Sequence, residues 1–182
     1  MRQIRSTIPS IEIAINKNHR LFSSIAEMSL PKTFTIIRNY LPFQGCIGRR
    51  TFDQDTVFNV VFDVDLYKKY LPFCKESSIS NVTDKTAEGY LKFELGEISV
   101  GFYSKINYER PNYIISTTED DIFESLVSEW RFSHLDHNVC RVDYKVVLSA
   151  KSPIYRLFIS QGLRYLPAIL FDKFSKQCSD RK

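Results

Sequence analysis

The spacing of hydrophobic residues changes along the chain from a helical period to strand alternation, and then back to a helical period. Residues 56–63 follow a helical spacing, with Thr51 or Asp53–Asp55 as the N-terminal cap. Asp65–Leu71 forms a second short helical segment. Pro72 ends it, because proline disfavours a helical conformation in the residue before it. Two short helices are therefore predicted early in the folded part.

The middle of the chain has the alternation of strands with one buried face. Leu91, Phe93 and Leu95 share one face of a segment whose other face carries Lys92 and Glu94. Strands are predicted at residues 76–82, 86–95, 98–108, 113–118, 124–134 and 138–150. Because these segments are short and joined by turn residues, they predict an antiparallel sheet built largely of hairpins.

The last segment has helical spacing again. Pro153 suits the first turn of a helix that extends to about Cys178, and Pro167 is expected to kink it. Apolar residues cover so much of this helix that it must bury a broad face. The predicted fold class is α+β, with a curved antiparallel sheet, two short N-terminal helices and a long C-terminal helix.

The N-terminal part differs from the rest in charge. Residues 1–50 carry eight basic and two acidic side chains, a balance of +6, whereas residues 51–182 carry 17 basic and 19 acidic ones, a balance of −2. A basic, serine-containing, acid-poor segment is typical of a mitochondrial targeting sequence, and an ordinary extension is the alternative. We therefore expect an extension over 1–43 and a folded domain over 44–182, with a first strand at 47–52.

Composition excludes several classes of protein. The longest apolar stretch, near Leu163–Phe171, is under half of the ~20 residues that a transmembrane helix needs, which leaves peripheral membrane contact open. Only six glycines and three histidines disfavour a phosphate-binding loop and acid–base catalysis. The four cysteines lack a CxxC spacing and are expected to be free thiols. Because the excess of positive charge belongs to residues 1–50 and the remainder is slightly acidic, no nucleic-acid surface is predicted.

Two polar clusters are candidates, one for a metal site and one for an acid–base site. His134, His137 and Cys140 have a metal-like spacing, but across a turn they need not converge, and a solvated hairpin is favoured. The acidic cluster at 119–124 suits acid–base chemistry, yet it falls in a strand connection and is better explained as a solvated loop. No catalytic residue and no metal site are predicted.

Several motifs resemble a known family. Residues 67–77 (YKKYLPFCKES) are similar to the "Y-x-x-F-[VL]-P-[WF]-C-x-x-S" element of coenzyme Q-binding proteins, within the START-like and polyketide cyclase superfamily. Residues 93–96, 102–106, 130–132 and 140–144 are similar to strand motifs of that family. The resemblance covers about Arg49–Lys176 and implies a helix-grip fold, in which the curved sheet wraps around the C-terminal helix.

The resemblance also implies a function. Family members are non-enzymatic carriers of coenzyme Q, which is cargo rather than a cofactor, and they support respiration and ubiquinone biosynthesis. It implies peripheral contact with the matrix side of the mitochondrial inner membrane, and association with respiratory or biosynthetic complexes. The expected cavity residues are Phe58, Phe62, Tyr70, Leu71, Phe73, Lys75, Leu91, Phe93, Leu95, Phe102, Trp130, Phe132, Tyr144, Leu157 and Phe158.

Polar groups are needed to orient the quinone ring. Tyr70, Lys75, Tyr103 and Tyr144 are the candidate donors. Two other functions remain open, a ribosome-associated factor and a cyclase or dehydratase that uses the same cavity. Pro167 and Gly162 are candidate weak points at which the last helix would open.

Overall fold

The fold consists of one antiparallel sheet and helices packed on its interior face. The computed structural model describes residues 52–95, 98–118, 120–136, 139–152, 155–156 and 166–181, and the backbone of 33–40. In chain order the elements are β1 (Thr33–Tyr40), α1 (Gln54–Phe62), a 3-10 turn (Val64–Leu66), α2 (Tyr67–Tyr70), β2 (Cys74–Ser80), β3 (Thr86–Leu95), β4 (Ile98–Glu109), β5 (Tyr113–Thr118), β6 (Phe123–Asp136), β7 (Val139–Ala150) and α3 (Leu166–Asp180).

The seven strands lie in the order β1-β7-β6-β5-β4-β3-β2, with every neighbouring pair antiparallel. From β2 to β7 each strand therefore pairs with the next one along the chain, as the hairpin pattern predicted. The strand β1 pairs instead with β7, from Thr33 opposite Ser149 to Tyr40 opposite Val142. Consequently β1 and β2 form the two edges of the sheet.

Helix α1 begins where the sequence places its cap. The Asp53 carboxylate accepts hydrogen bonds from the Thr56 backbone N–H (2.8 Å) and from the Thr56 hydroxyl (2.7 Å). Gln54 Nε2 then donates to the backbone carbonyls of Phe132 (2.9 Å) and Pro111 (3.2 Å). These bonds fix the start of α1 against the end of the sheet that carries the β4–β5 turn.

Helix α3 packs on the interior face of the sheet through aromatic rings. The ring centroids of Phe171 and Phe174 each lie 5.5 Å from that of Trp130 on β6. The Phe174 ring also lies 5.3 Å from Tyr67 of α2, so α3 joins the short helices to the sheet. The α+β helix-grip architecture predicted from the sequence is confirmed.

Two boundaries differ from expectation. The sheet begins at Thr33, so the expected start of the folded part at residue 44 is wrong, because β1 lies within the predicted extension and pairs with β7. An edge strand needs one partner and little burial, so its own pattern is weak. The expected first strand at 47–52 falls outside the described residues except for Phe52, as do residues 157–165 of the predicted last helix. The targeting role of the N-terminal segment stays a prediction.

Candidate functional site

The interior face of the sheet carries two packed apolar clusters, one toward each end of the strands. In the larger cluster, helices α1, α2 and α3 cover Ile106, Ile114, Trp130, Phe132 and Val142 of the sheet, all of them buried. The smaller cluster contains the buried residues Val100, Phe123, Leu148 and Ala150, with Tyr155 packed against it. The clusters bound the middle of the face on both sides.

Between the two clusters, the side chains in the middle of the interior face of the sheet are less completely buried. Strand alternation directs Ser104, Ser116, Leu126 and Ser128 inward, in the same rows as the buried residues, yet all four keep partial solvent exposure. Leu91, Phe93 and Phe102 continue the partly exposed row onto β3 and β4, where Leu91 faces Phe102 across the pair. The apolar members of this set pack against the two clusters, and the surface they keep indicates space that the described residues leave unfilled. We name the space lined by these seven residues the central hollow.

Hydroxyl groups cross the central hollow from strand to strand. Ser104 Oγ and Thr118 Oγ1 lie 2.6 Å apart, and Ser116 faces Ser128 directly across the β5–β6 pair. Thr118 is buried, whereas the three serines are partly exposed. We name Ser104, Ser116, Thr118 and Ser128 the hydroxyl band. Hydroxyls both donate and accept hydrogen bonds, so the band can receive a polar group of a bound molecule among otherwise apolar walls.

Tyr144 borders the hydroxyl band from β7. Burial raises the pKa of Tyr144 to about 12, and a hydrogen bond with Ser128 opposes part of that rise. Its ring is held by Trp130, whose centroid lies 4.2 Å away. Tyr144 is thus a neutral phenol at physiological pH, fixed beside the central hollow, and of the four candidate donors it has the position expected of one.

Tyr70 of α2 contributes a second buried phenol. Its hydroxyl is buried and finds no hydrogen-bond partner among the described residues. Burial raises the pKa of Tyr70, while the nearby positive charge of Arg181 acts in the opposite direction. The ring lies 6.0 Å from Phe174 of α3. A buried hydroxyl without a partner is costly, so Tyr70 has an unused hydrogen-bonding capacity beneath α3.

The structure divides the predicted cavity residues into groups. Phe58, Phe62, Leu71, Trp130, Phe132 and Tyr144 are buried in the larger cluster and form packed core. Leu91, Phe93 and Phe102 line the central hollow, with Tyr144 at its edge and Tyr70 under α3. Leu95, Leu157 and Phe158 have no described side chain, and Gly162 also lies outside the described residues, so those predictions remain untested.

Two expected cavity residues, Phe73 and Lys75, and the candidate donor Tyr103 lie outside. Phe73 is 46% exposed, Lys75 is exposed, and Tyr103 is 73% exposed on the outer face of β4. The register of β2 shifts between Cys74 and Glu76, so simple alternation does not carry Lys75 inward. Tyr103 follows Phe102, which takes the interior position on the same strand. The cavity positions expected for Phe73 and Lys75 were therefore wrong, and Tyr103 does not have the position of a donor inside the sheet.

Residues 67–77, which carry the motif of the resembled family, mainly stabilise the packing of α2 through buried hydrogen bonds. The buried Ser77 hydroxyl accepts from the Lys68 backbone N–H (3.0 Å) and donates to the Asp65 carbonyl (3.2 Å). The Tyr67 hydroxyl donates to the Val61 carbonyl, and burial raises the pKa of that phenol. These bonds hold α2 against β2 and α1, which explains the spacing of the element.

The polar clusters weighed earlier have structural explanations where the chain is described. His134 is exposed, opposite the buried Cys140, while His137 lies outside the described residues. Over the described part of the chain, no three His, Cys, Asp or Glu side chains gather as a metal site would require. Asp120 caps its turn by accepting from the Ile122 (2.8 Å) and Phe123 (2.7 Å) backbone N–H groups. Cys74 and Cys140 are free thiols, as predicted.

Sequence reasoning missed the hydroxyl band. Its members lie at the inward parity of strands that were correctly predicted, so a search for small polar residues at those positions could have found them. The strand register was also needed, because it places residues from three different strands side by side. Among the helices that the structure describes, none combines the length and apolarity needed to cross a bilayer.

Comparison with known proteins identifies the family. Residues 51–166 match the family model described as polyketide cyclase / dehydrase and lipid transport. The chain belongs to this family. The match includes every strand from β2 to β7 and thus the whole central hollow. Zhui aromatase/cyclase from Streptomyces sp. R1128 has the same fold, with a TM-score of 0.67 and 13% identity over 82% of this chain and 95% of that one.

Two curated relatives show which individual proteins the chain is similar to. The chain is 29% identical to coenzyme Q-binding protein COQ10, mitochondrial, of Dictyostelium discoideum over 128 residues, which are 68% of this chain and 62% of that protein. It is 20% identical to ribosome association toxin RatA of Escherichia coli (strain K12) over 71% of this chain and 82% of that protein. The chain thus matches under two thirds of the coenzyme Q-binding relative, and the resemblance to the coenzyme Q-binding and START-like family is confirmed.

Proposed function

We propose that the protein is a non-enzymatic carrier of coenzyme Q, or of a late precursor, which it binds in the central hollow. The observation that carries this proposal is the partial exposure of inward-facing Ser104, Ser116, Leu126 and Ser128 between two packed clusters. A ligand enclosed there would contact apolar side chains and hydroxyl groups together. A polyprenyl quinone needs this combination, because it joins an apolar tail to a ring with two carbonyl oxygens.

The mechanism is exchange between two apolar phases. Burial stabilises the tail by ~0.8 kcal/mol per CH₂ group, which nearly cancels its preference for the membrane interior. The hydroxyl band and Tyr144 would donate hydrogen bonds to the ring carbonyls. Such a carrier needs no catalytic residue and no cofactor, because no bond of the cargo is made or broken.

The polar groups of the interior favour a carrier over an acid–base enzyme. Among the described residues, the buried polar side chains are those of Ser77, Thr118, Ser149 and Ser175 and the phenols of Tyr67, Tyr108 and Tyr144. None of these is a carboxylate or an imidazole, the groups that usually transfer protons in cyclase or dehydratase chemistry. The likeness to an aromatase/cyclase, at 13% identity, supports a shared fold and does not carry a shared activity.

The location that we propose for the protein rests on its similarity to the coenzyme Q-binding relative. The Dictyostelium relative is named as mitochondrial, and the basic, acid-poor N-terminal segment has the composition of a targeting sequence. We propose that the protein works at the matrix side of the inner membrane, where it would deliver quinone to respiratory or biosynthetic complexes. This placement gives the carrier a membrane on which to load and unload.

A ribosome-associated factor is the second candidate, because the chain also resembles a ribosome association toxin. The charge of residues 51–182, with 17 basic and 19 acidic side chains, weighs against it, since RNA binding usually uses a basic face. Co-sedimentation of the protein with ribosomal subunits at moderate salt would favour this candidate over the carrier.

Loss of quinone retention on filling the central hollow tests the carrier proposal. Ser116→Leu places a larger apolar side chain in the hollow, and Ser133→Leu makes the same change at an exposed position of β6 as the matched control. Mass spectrometry of lipids retained after purification in mild detergent should show ubiquinone with the wild type and with Ser133→Leu. Ser116→Leu should retain at least about tenfold less, because the cargo and the new side chain compete for one space. Wild-type protein without quinone, or Ser116→Leu with the wild-type amount, would overturn the proposal.

A further inference from the structure

The turn between α2 and β2 presents an aromatic ring to the solvent. Phe73 is 46% exposed, although it follows the buried Leu71 and the half-buried Pro72 in a tight turn. Its φ of 65° lies in the left-handed region, which glycine and asparagine adopt far more readily than phenylalanine. A bulky residue in that conformation is strained, and such strain is often kept where a function depends on it.

The backbone of this turn is fixed from the inside. The Glu94 backbone N–H donates to the Phe73 carbonyl (2.9 Å), and the Cys74 N–H reaches the Leu71 carbonyl (3.4 Å). Leu71 and Cys74 are both buried in the larger apolar cluster. The turn is therefore held rigidly on both sides of Phe73, while the ring itself points outward.

The sequence on both sides of the exposed ring is basic. Lys68, Lys69 and Lys75 are all exposed, and they lie within five residues of Phe73 in sequence. The nearest acidic side chains on the paired strands, Glu76 and Glu94, both bind Lys92, at 3.0 and 3.4 Å. Glu76, Glu94 and Lys92 together keep a net charge of −1, so with the three lysines the charges around the turn sum to +2. We name Lys68, Lys69, Phe73 and Lys75 the basic–aromatic turn.

We propose that the basic–aromatic turn docks the protein on the surface of an anionic lipid membrane. Aromatic rings favour the boundary between headgroups and acyl chains, and each lysine near an anionic surface adds attraction. The turn combines both contributions beside the edge strand β2, with which, in the described part of the chain, only β3 pairs. An acidic protein would satisfy the lysines, but a lipid surface also accounts for the exposed ring.

The position of the turn connects this surface to the central hollow, and this step rests on the proposed carrier function. Phe73 bonds to Glu94 of β3, and the neighbouring residue Phe93 faces the hollow. The ring of Phe93 lies 6.3 Å from that of Phe102, which also lines the hollow. Docking through the turn would therefore bring this side of the hollow next to the membrane.

Flotation with quinone-free vesicles tests the docking surface separately from cargo binding. The vesicles are phosphatidylcholine with about one-fifth cardiolipin, compared with phosphatidylcholine alone. Phe73→Asn removes the ring and suits the positive φ, so a folding defect is not expected. It should weaken binding to the anionic vesicles by about tenfold, the factor expected for removing one inserted ring. The double change Lys69→Gln and Lys75→Gln should weaken it by about thirtyfold, at ~1 kcal/mol per lysine, and should reduce the preference for cardiolipin.

Matched controls change the same residue types elsewhere. Tyr103→Asn removes the most exposed of the large apolar side chains that the structure describes, and Lys145→Gln removes an exposed lysine of β7. Both should bind vesicles like the wild type. Equal losses in the controls, or no loss in the turn variants, would overturn the docking surface. If the wild-type protein binds neither type of vesicle, the membrane-docking proposal is also overturned, and a protein partner is favoured instead. Vesicle binding without quinone retention would instead contradict the carrier function.

Discussion

The hydroxyl oxygens of Ser104 and Thr118 lie 2.6 Å apart on the interior face of the sheet, between β4 and β5. The two residues differ in exposure, since Thr118 is buried and Ser104 is partly accessible from the central hollow. One hydroxyl of this pair is therefore enclosed by protein, whereas the other can contact a molecule in the central hollow. Because of this difference, comparing the stabilities of variants at the two positions tests whether the central hollow is open to solvent.

Removing one hydroxyl should not have the same effect as removing the other. Ser104→Ala leaves the buried Thr118 hydroxyl without its partner, which should lower the free energy of unfolding by about 1–3 kcal/mol. Thr118→Val leaves Ser104 able to bond a water molecule in the hollow, and should cost clearly less. Urea denaturation of the two single variants measures the difference. Equal costs would show that no solvent reaches Ser104.

Ser77 should be a strong determinant of stability within the family-like element. Ser77→Ala removes the acceptor of the Lys68 backbone N–H and the donor to the Asp65 carbonyl. Because Ser77 is 2% exposed, we expect a loss of about 1–3 kcal/mol in thermal or urea unfolding. Ser78→Ala, at the exposed neighbouring position, is the control and should change stability little. A loss as small as that of the control would remove the structural role assigned to the element.

Arg110 joins α1 to the sheet through both stacking and hydrogen bonding. Its guanidinium carbon lies 4.7 Å from the centroid of Phe62 and 4.9 Å from that of Phe58, and its Nη1 donates to Asn59 Oδ1 (2.6 Å). Arg110→Gln should lower the free energy of unfolding by about 1–2 kcal/mol, with Arg110→Lys intermediate, because an ammonium cannot stack as a planar guanidinium does.

The control for Arg110 is an arginine that forms an ion pair without a described aromatic contact. Arg131→Gln breaks the bond of Arg131 Nε to the Glu129 carboxylate (2.5 Å), where the Arg131 side chain is 58% exposed. An exposed ion pair adds little, so this variant should stay within about 1 kcal/mol of the wild type. Equal effects at the two arginines would indicate that the rings around Arg110 contribute nothing.

Stability should fall at alkaline pH, in part because of Cys140. Burial raises the pKa of the Cys140 thiol from 9.0 to about 11. The unfolded chain therefore loses this proton at lower pH than the folded one, and the free energy of unfolding decreases as the pH rises from about 9 to 11. Below pH 9 the contribution is fully present. Cys140→Ala should lower stability at neutral pH through lost packing, yet flatten the profile over that interval. An unchanged slope in chemical denaturation would contradict the assignment.

Local sequence patterns were sufficient for most of the elements. The bounds predicted for β3 and β5 agree with the structure, and Asp53 caps α1 as expected. Each of these features depends on residues within a few positions of one another, such as alternation or a cap three residues from its partner. Strand β1 was missed because its identity depends on pairing with β7, more than a hundred residues later.

The candidate site was less accessible to sequence reasoning. Tyr144, Leu91, Phe93 and Phe102 were correctly expected inside, since strand parity places them there. Phe73 was wrongly expected inside because an aromatic residue beside buried ones suggests burial, whereas a positive φ turns its side chain outward. The serines of the hydroxyl band were overlooked because a serine in a strand has no distinctive pattern of its own.

By itself the sequence determined the α+β class, the hairpin order and the family resemblance, because period, capping and motif spacing are properties of contiguous residues. The tertiary structure decided which inward positions are packed and which remain open, since packing depends on what α3 and distant strands place above each residue. It also decided that Ser104, Ser116 and Ser128 share one surface, because register brings together residues that the chain keeps apart.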